Sequence, residues 1–314
     1  MTHLARVAGY VDYTSDGTSR FIPEIWSGRL QVKYYLATCL AEITNNDWTG
    51  EIKDVGDTVI IRSIPTVTTA AYQKGQELVP QYPESTPLTL FIDKGRYFNV
   101  VVDDVDAYQQ NINLMNRFTD DAAKNMKIDI ENDVFDNIAA SASAYNVGNT
   151  AGRISGDFLL GATTAPVQLS KSNILEYIVD CGTVLTENNV PDEGRWMVLP
   201  AWAAGLIKKS DLKDASLAGD QQSIMRNGRL GLIDTFMLYK SNNLDAISDT
   251  VGGSTVNCWD IYFGTKDAVT FASQITKVQN ITTEKTFGQI IRGLNVYGYK
   301  VVKPEALGVL YVRK

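Results

Sequence analysis

Three carboxylates fall close together in the stretch RYFNVVVDDVDAYQQ, residues 96–110: Asp103, Asp104 and Asp106. Acids so placed can hold a cation or divide acid and base roles in a hydrolytic reaction. The spacing does not make a Ca²⁺ loop, because it lacks the glycine turn and the glutamate at the twelfth position. Beyond Asp106 come Tyr108, Ile112, Met115, Phe118, Ala122, Met126, Ile130, Val134 and Ile138, in steps of three and four. That period belongs to an amphipathic helix. Acids at a helix start accept bonds from free backbone N–H groups and complement the helix dipole. Asp103, Asp104 and Asp106 are therefore expected to cap a helix, with no catalytic, cofactor-binding or metal site.

The rest of the inventory points the same way. The only histidine is His3, so Ser-His-Asp and Cys-His arrangements lack a base and a zinc site lacks nitrogen ligands. No GxxxxGK[ST] occurs, and no GxGxxG succeeds a strand. Cys39, Cys181 and Cys258 are far apart, without CxxC spacing, and read as small buried apolar residues. A formal net charge of −7 argues against tight reading of DNA or RNA, which needs cationic surface. There is no run of about 18 apolar residues that would span a membrane, and the first twenty residues lack the apolar centre of a signal peptide. A hydrolase built on Asp103 or Asp104 remains the enzymatic alternative, with little to support it.

The elements that carry these residues are more informative. Residues 1–22 read as an arm. IPEIWSGRLQVKYYLATCLAEI then opens on Pro23 and repeats Trp26, Leu30, Tyr34 and Ala37 at helical spacing, which predicts a helix within 23–46. GDTVIIRSI and STPLTLFID are β-branched runs that predict a long hairpin across 47–100. Its middle, Pro65 to Pro87, has little apolar surface of its own, so the hairpin needs something to lie against. The helix beyond Asp104 is expected to reach Ala140, on the order of 50 Å, with one apolar stripe and a polar back. SKSNILEYIVDCGTVLTENNVP predicts a helix capped by Ser170 or Ser172, and PAWAAGLIKKSDL a shorter one. RWMVLP, CWDIYFG, SQITKVQNITTEKTF and the last twenty residues predict strands, so the second half is a mixed α+β domain.

This order of parts resembles the tailed-bacteriophage major capsid protein, with the fold named after the Hong Kong 97 phage. The wording that carries the resemblance is FIPEIWSGRL, GEIKDVGDTVIIRSIP, FNVVVDDVDAYQ, NGRLGLIDTFMLYKSNNL and GLNVYGYKVVKPEALGVLYV, five phrases in the family's order. The resemblance implies an α+β chain with an N-terminal arm (1–22), an arm-exit helix (23–46) and an extended loop (47–100). It further implies a peripheral domain with a spine helix (101–141 and 262–292) and an axial domain (142–261 and 293–314). A phage tail or baseplate subunit is the structural alternative.

The resemblance also implies roles. Copies would form hexamers and pentamers of an icosahedral shell around double-stranded DNA, which is enclosed without sequence-specific binding. The extended loop would lie over a neighbour through Tyr72, Lys74, Glu77 and Tyr82, and Lys208, Asp211 and Arg226 would belong to loops near the capsomer axis. Expected partners are a separate scaffolding protein, a portal and a decoration protein, with assembly in the host cytoplasm and residence in the virion. In the namesake, a loop lysine joins a neighbour's asparagine with help from a glutamate; Lys74, Asn280 and Glu284 are the counterparts here. Glu77 favours the charged, non-nucleophilic form of Lys74, so a noncovalent shell is expected.

Overall fold

The computed structural model describes residues 35–36, 38–47, 58–62, 64–65, 67–85, 87–103, 114–210, 231–282 and 288–314. The helices are α1 (Leu40–Ile43), α2 (Leu114–Ile138), α3 (Ile174–Glu187) and α4 (Ala201–Lys209). The strands are β1 (Thr58–Arg62), β2 (Pro87–Phe91), β3 (Lys94–Asp103), β4 (Val167–Gln168), β5 (Arg195–Leu199) and β6 (Leu232–Ile233), then β7 (Phe236–Lys240), β8 (Ile247–Val251), β9 (Ser254–Thr265), β10 (Val269–Thr282), β11 (Gly288–Val301) and β12 (Leu307–Arg313). None of the described helices is long and apolar enough to cross a membrane.

The strands form three sheets. The largest has the order β4-β12-β9-β5-β7-β6, with β8 paired to β9. β5 (RWMVL) and β12 (LGVLYVR) are continuous apolar runs rather than alternating ones, as strands covered on both faces must be. One face carries Met197, Leu199, Phe236, Ile261, Phe263 and Leu310 against Ile178, Cys181 and Leu185 of α3. The other carries Trp196, Val198, Tyr262, Leu307 and Val309 against Val134, Phe135 and Ile138 of α2. Burying both faces makes this sheet the centre of the molecule's hydrophobic stabilisation.

The second sheet is antiparallel, in the order β10-β11-β3. α2 lies along it, and the Tyr297 hydroxyl of β11 donates to Asp133 at 3.0 Å. α2 thus belongs to both units: its last turns enter the core of the large sheet, while its side supports the smaller one. At 25 residues it is about 38 Å long. The third sheet is the hairpin β1-β2, whose Val59, Ile61 and Leu90 face inward onto Ala272 of β10 and Val296 of β11. The hairpin lies directly on β11 at Gly298, where any Cβ would run into the Phe91 carbonyl.

Several expectations change. Of the helix predicted across 23–46, the described residues Tyr35, Leu36, Thr38 and Cys39 are irregular and the described helical part is the single turn α1; residues 1–34 and 37 lie outside those described. The cause is local: the N–H groups of Cys39 and Leu40 donate to the Glu131 carboxylate, so the helix starts there. α3 is flanked by Asn173, not by Ser170 or Ser172, and the Asn173 side chain turns back to the Ser170 N–H and the Gln168 carbonyl. The expected boundaries at 262 and 293 fall inside β9 and β11. The expected start of the long helix, residues 104–113, lies outside the described residues.

Candidate assembly surface

Beyond Arg62 and Pro87 the β1-β2 ladder stops. The described residues between them are almost all exposed, including the apolar Ile64, Val67, Tyr72, Leu78, Val79 and Tyr82. Prolines at 65, 80 and 83 and the lack of apolar alternation keep a ladder from continuing. Shape comes from side chains instead. The Gln81 amide takes the Thr68 N–H at 3.2 Å and donates to the Thr68 carbonyl at 2.7 Å, standing in for a paired strand. At the tip the Gln76 N–H donates to the Gln73 carbonyl at 3.0 Å, and the turn needs Gly75 at φ +87°. Apolar side chains on an arm with no core behind them have water as their only cover within the described residues, which favours burial against another surface.

Away from the arm, buried polar groups tie other elements together. Glu131, fully buried in α2, takes the N–H groups of Cys39 at 2.6 Å and Leu40 at 2.9 Å, the Ser241 hydroxyl at 3.1 Å and the Asn243 amide at 2.7 Å. Four donors compensate a charge that would otherwise be costly in the interior. The Cys39 thiol is pushed up by burial and by that carboxylate, so it is not a thiolate nucleophile. Nearby on α2, Asp133 pairs with Lys94 of β3 at 2.9 Å, and the same ammonium donates to the Tyr299 hydroxyl at 2.6 Å. Burial works against the Lys94 charge, but Tyr299 and Asp133 outweigh it and hold the ammonium above its ordinary value. In the large sheet, buried Arg195 donates to the carbonyls of Gly182, Pro191 and Val190 and pairs with Asp192 at 2.9 Å. These groups brace the fold; among the described residues no group of three or more His, Cys, Asp or Glu is placed to hold a metal.

Tyr72, Lys74, Glu77 and Tyr82 all lie on the arm with exposed side chains. Asp103 is the last residue of β3, opposite Gly288, while Asp104 and Asp106 lie outside the described residues. Lys208 is in the last turn of α4; Asp211, Arg226 and Glu284 lie outside the described residues. Asn280 is on β10 and donates to Gln289 of β11 at 3.2 Å. Sequence reasoning misses Glu131, Asp133 and Arg195. Glu131 was legible in one respect: it stands between Ile130 and Val134, beside the apolar stripe, where a solvated acid would not be expected.

A profile of the family described as phage capsid protein matches residues 86–312. Among solved structures, one titled Mycobacterium phage Che8 is 25% identical, covers 92% of this chain and 96% of its own, and superposes with a TM-score of 0.74. The capsid structure of the cyanophage P-SCSP1u is 16% identical with a TM-score of 0.70, covering 98% and 97%. The capsid of Ralstonia phage GP4 is 14% identical with a TM-score of 0.64, also covering 98% and 97%. At those last two identities the likeness speaks for the fold: a mixed α and β chain of the Hong Kong 97 type. No curated protein sequence matches the chain.

Proposed function

The chain belongs to the phage capsid protein family, and from that premise we propose that its copies close into hexamers and pentamers around double-stranded DNA. It is a major capsid protein, a component of the virion whose role is to form the shell. The finer reading concerns how the shell is held. The observation that carries it is the arm between β1 and β2, with exposed apolar side chains and, among the described residues, no core behind them. In this reading the arm lies over a neighbouring copy, and Tyr72, Leu78, Val79 and Tyr82 supply the buried contact, while Lys74 and Glu77 stay at its polar rim. In the same reading Lys208, in the last turn of α4, lies nearest the capsomer axis, and Asp211 and Arg226 are its proposed companions there.

The strand pairing supports a division of labour within the subunit. The peripheral part is α2 with β10, β11 and β3, the axial part is the seven-stranded sheet with α3 and α4, and the arm is the extended element. No catalytic role is assigned. The acidic net charge suits a container, because a basic inner wall would hold packaged DNA too tightly. A separate scaffolding protein, a portal and a decoration protein are the proposed partners, with assembly in the host cytoplasm. The shell is held without covalent links between copies.

The test is the double variant Leu78→Asp, Val79→Asp. Purified variant subunits should fold with an unchanged melting temperature yet give no closed shells in negative-stain micrographs, while the parent chain gives them. Normal shells from the variant would overturn the arm's role. Denaturing electrophoresis of intact parent particles should show one band at the subunit mass, and a ladder of multiples would refute the noncovalent reading.

A further inference from the structure

The sheets of this chain end in very different ways. In the large sheet the outermost strands are short: β4 and β6 have two residues each, and β8 has five. Short edges give a foreign strand little to pair with. The second sheet ends on β10, a strand of 14 residues. Its start is covered, because the Phe271 N–H donates to the Asn45 carbonyl at 2.9 Å and the Asn45 N–H to the Val269 carbonyl at 2.9 Å. A bulge follows between Ser273 and Ile275, and from there to Thr282 the strand keeps a regular register with β11. Along that stretch no backbone bond reaches its outer edge among the described residues.

The usual protections of an edge are nearly absent there. Residues 274–282, QITKVQNIT, contain no proline and no acid, and Lys277 is their only charge. Val278 is 58% exposed. The opposite edge of the sheet, β3, is better guarded, with Lys94, Arg96 and Asp103 along it.

We propose that β10 is a self-complementary docking edge: two copies pair their β10 strands antiparallel about a two-fold axis at Val278, joining two three-stranded sheets into one of six strands. In that register Val278 stands opposite itself, Lys277 opposite Gln279, and Thr276 opposite Asn280. Paired residues then share a face of the continuous sheet, as an antiparallel ladder requires. No lysine directly opposes a lysine, and no acid is present to repel or to recruit a basic partner, so the edge is best matched by itself. Such a contact uses the same patch on both copies and closes at two. It cannot build a ring, and in the proposed shell it joins copies that belong to different capsomers. The pairing rests on that assembly reading but is tested apart from it.

The experiment uses Val278→Cys in the full chain, assembled into shells, oxidised and run on a non-reducing gel. Residues directly opposite in an antiparallel pair have Cα atoms about 4.5–5.5 Å apart, within reach of a disulfide. The native Cys39, Cys181 and Cys258 are all buried. Most of the protein should run as a dimer. Asn280→Cys should give little dimer, since its two copies would lie about 13 Å apart along the strands. No dimer from Val278→Cys, or equal dimer from both variants, overturns the pairing. Hydrogen exchange over 276–280 gives a second reading: fast in free subunits and slow in shells is expected. Equally slow exchange in free subunits would mean that the chain covers this edge itself, and would overturn the proposal. If the parent chain forms no shells, it is the assembly reading that fails. The same oxidation of concentrated free subunits then decides the edge: a Val278→Cys dimer supports the pairing, and its absence overturns it.

Discussion

In β5 and β12 nearly every side chain is buried, on both faces of one sheet. Along residues 64–85, nearly every described side chain is in solvent, aromatic and aliphatic ones included. Both regions contain valine, leucine and tyrosine. What separates them is the regularity of the backbone: a paired strand satisfies its peptide groups within the sheet and can be sealed from water, whereas an arm with prolines and few backbone partners must leave its peptide groups wet. The large sheet completes its burial within one chain. Among the described residues nothing covers the arm, and in the proposed assembly a neighbouring copy does.

That contrast can be broken most forcefully at Glu131, which serves the self-contained half. Glu131→Ala takes away the acceptor shared by the Cys39 and Leu40 N–H groups, Ser241 and Asn243, and subunit stability should fall by about 3–5 kcal/mol in a denaturant titration. A loss near zero would mean that these elements are held together by apolar packing alone. Next comes Gly298→Val, where the hairpin that carries the arm rests on β11. Its side chain would drive the Phe91 carbonyl off β11, costing about 1–3 kcal/mol as an overpacked site does and freeing the hairpin to proteases. Intact resistance at β1 and β2 would show that the hairpin has another anchor.

A smaller effect of opposite sign is expected at Thr164, a β-branched residue at φ +72°. Thr164→Gly relieves that strain while keeping the N–H that Asp249 accepts, and should raise stability by up to about 1 kcal/mol. A loss would mean that the threonine side chain makes a contact worth more than the strain. The smallest effect on the subunit belongs to Gln81→Ala. Its melting temperature should not move, because the Gln81 bonds lie on the exposed arm, yet shells should form more slowly in a light-scattering time course. A shift in melting would make the arm part of the subunit core after all.

How much of this was legible in the sequence differs by element. The hairpin strands, the long helix, α3, α4, and strands β5, β9, β10, β11 and β12 all announced themselves through period and turn chemistry. β8 did not, because ISDTV alternates too weakly and owes its strand state to pairing with β9. The arm was legible as a gap: a stretch with strand-like flanks and no core. Glu131 and Arg195 were not, since a charged residue's burial depends on donors and acceptors that arrive from distant segments, 241–243 and 39–40 for one, 182 and 190–192 for the other. Periodicity reports which face a residue shares, and says nothing of which remote backbone groups converge on it.

The Gln81 amide spanning the N–H and carbonyl of Thr68 has a consequence for the rate at which shells can grow. A limb that samples many shapes must surrender that freedom when it docks, and each residue frozen at that moment weakens the contact. Here the two limbs already stand side by side before any neighbour arrives. In the proposed docking the arm would meet its partner preorganised, so that less of the apolar burial would be consumed in ordering it and more would be left to set the affinity of one copy for the next.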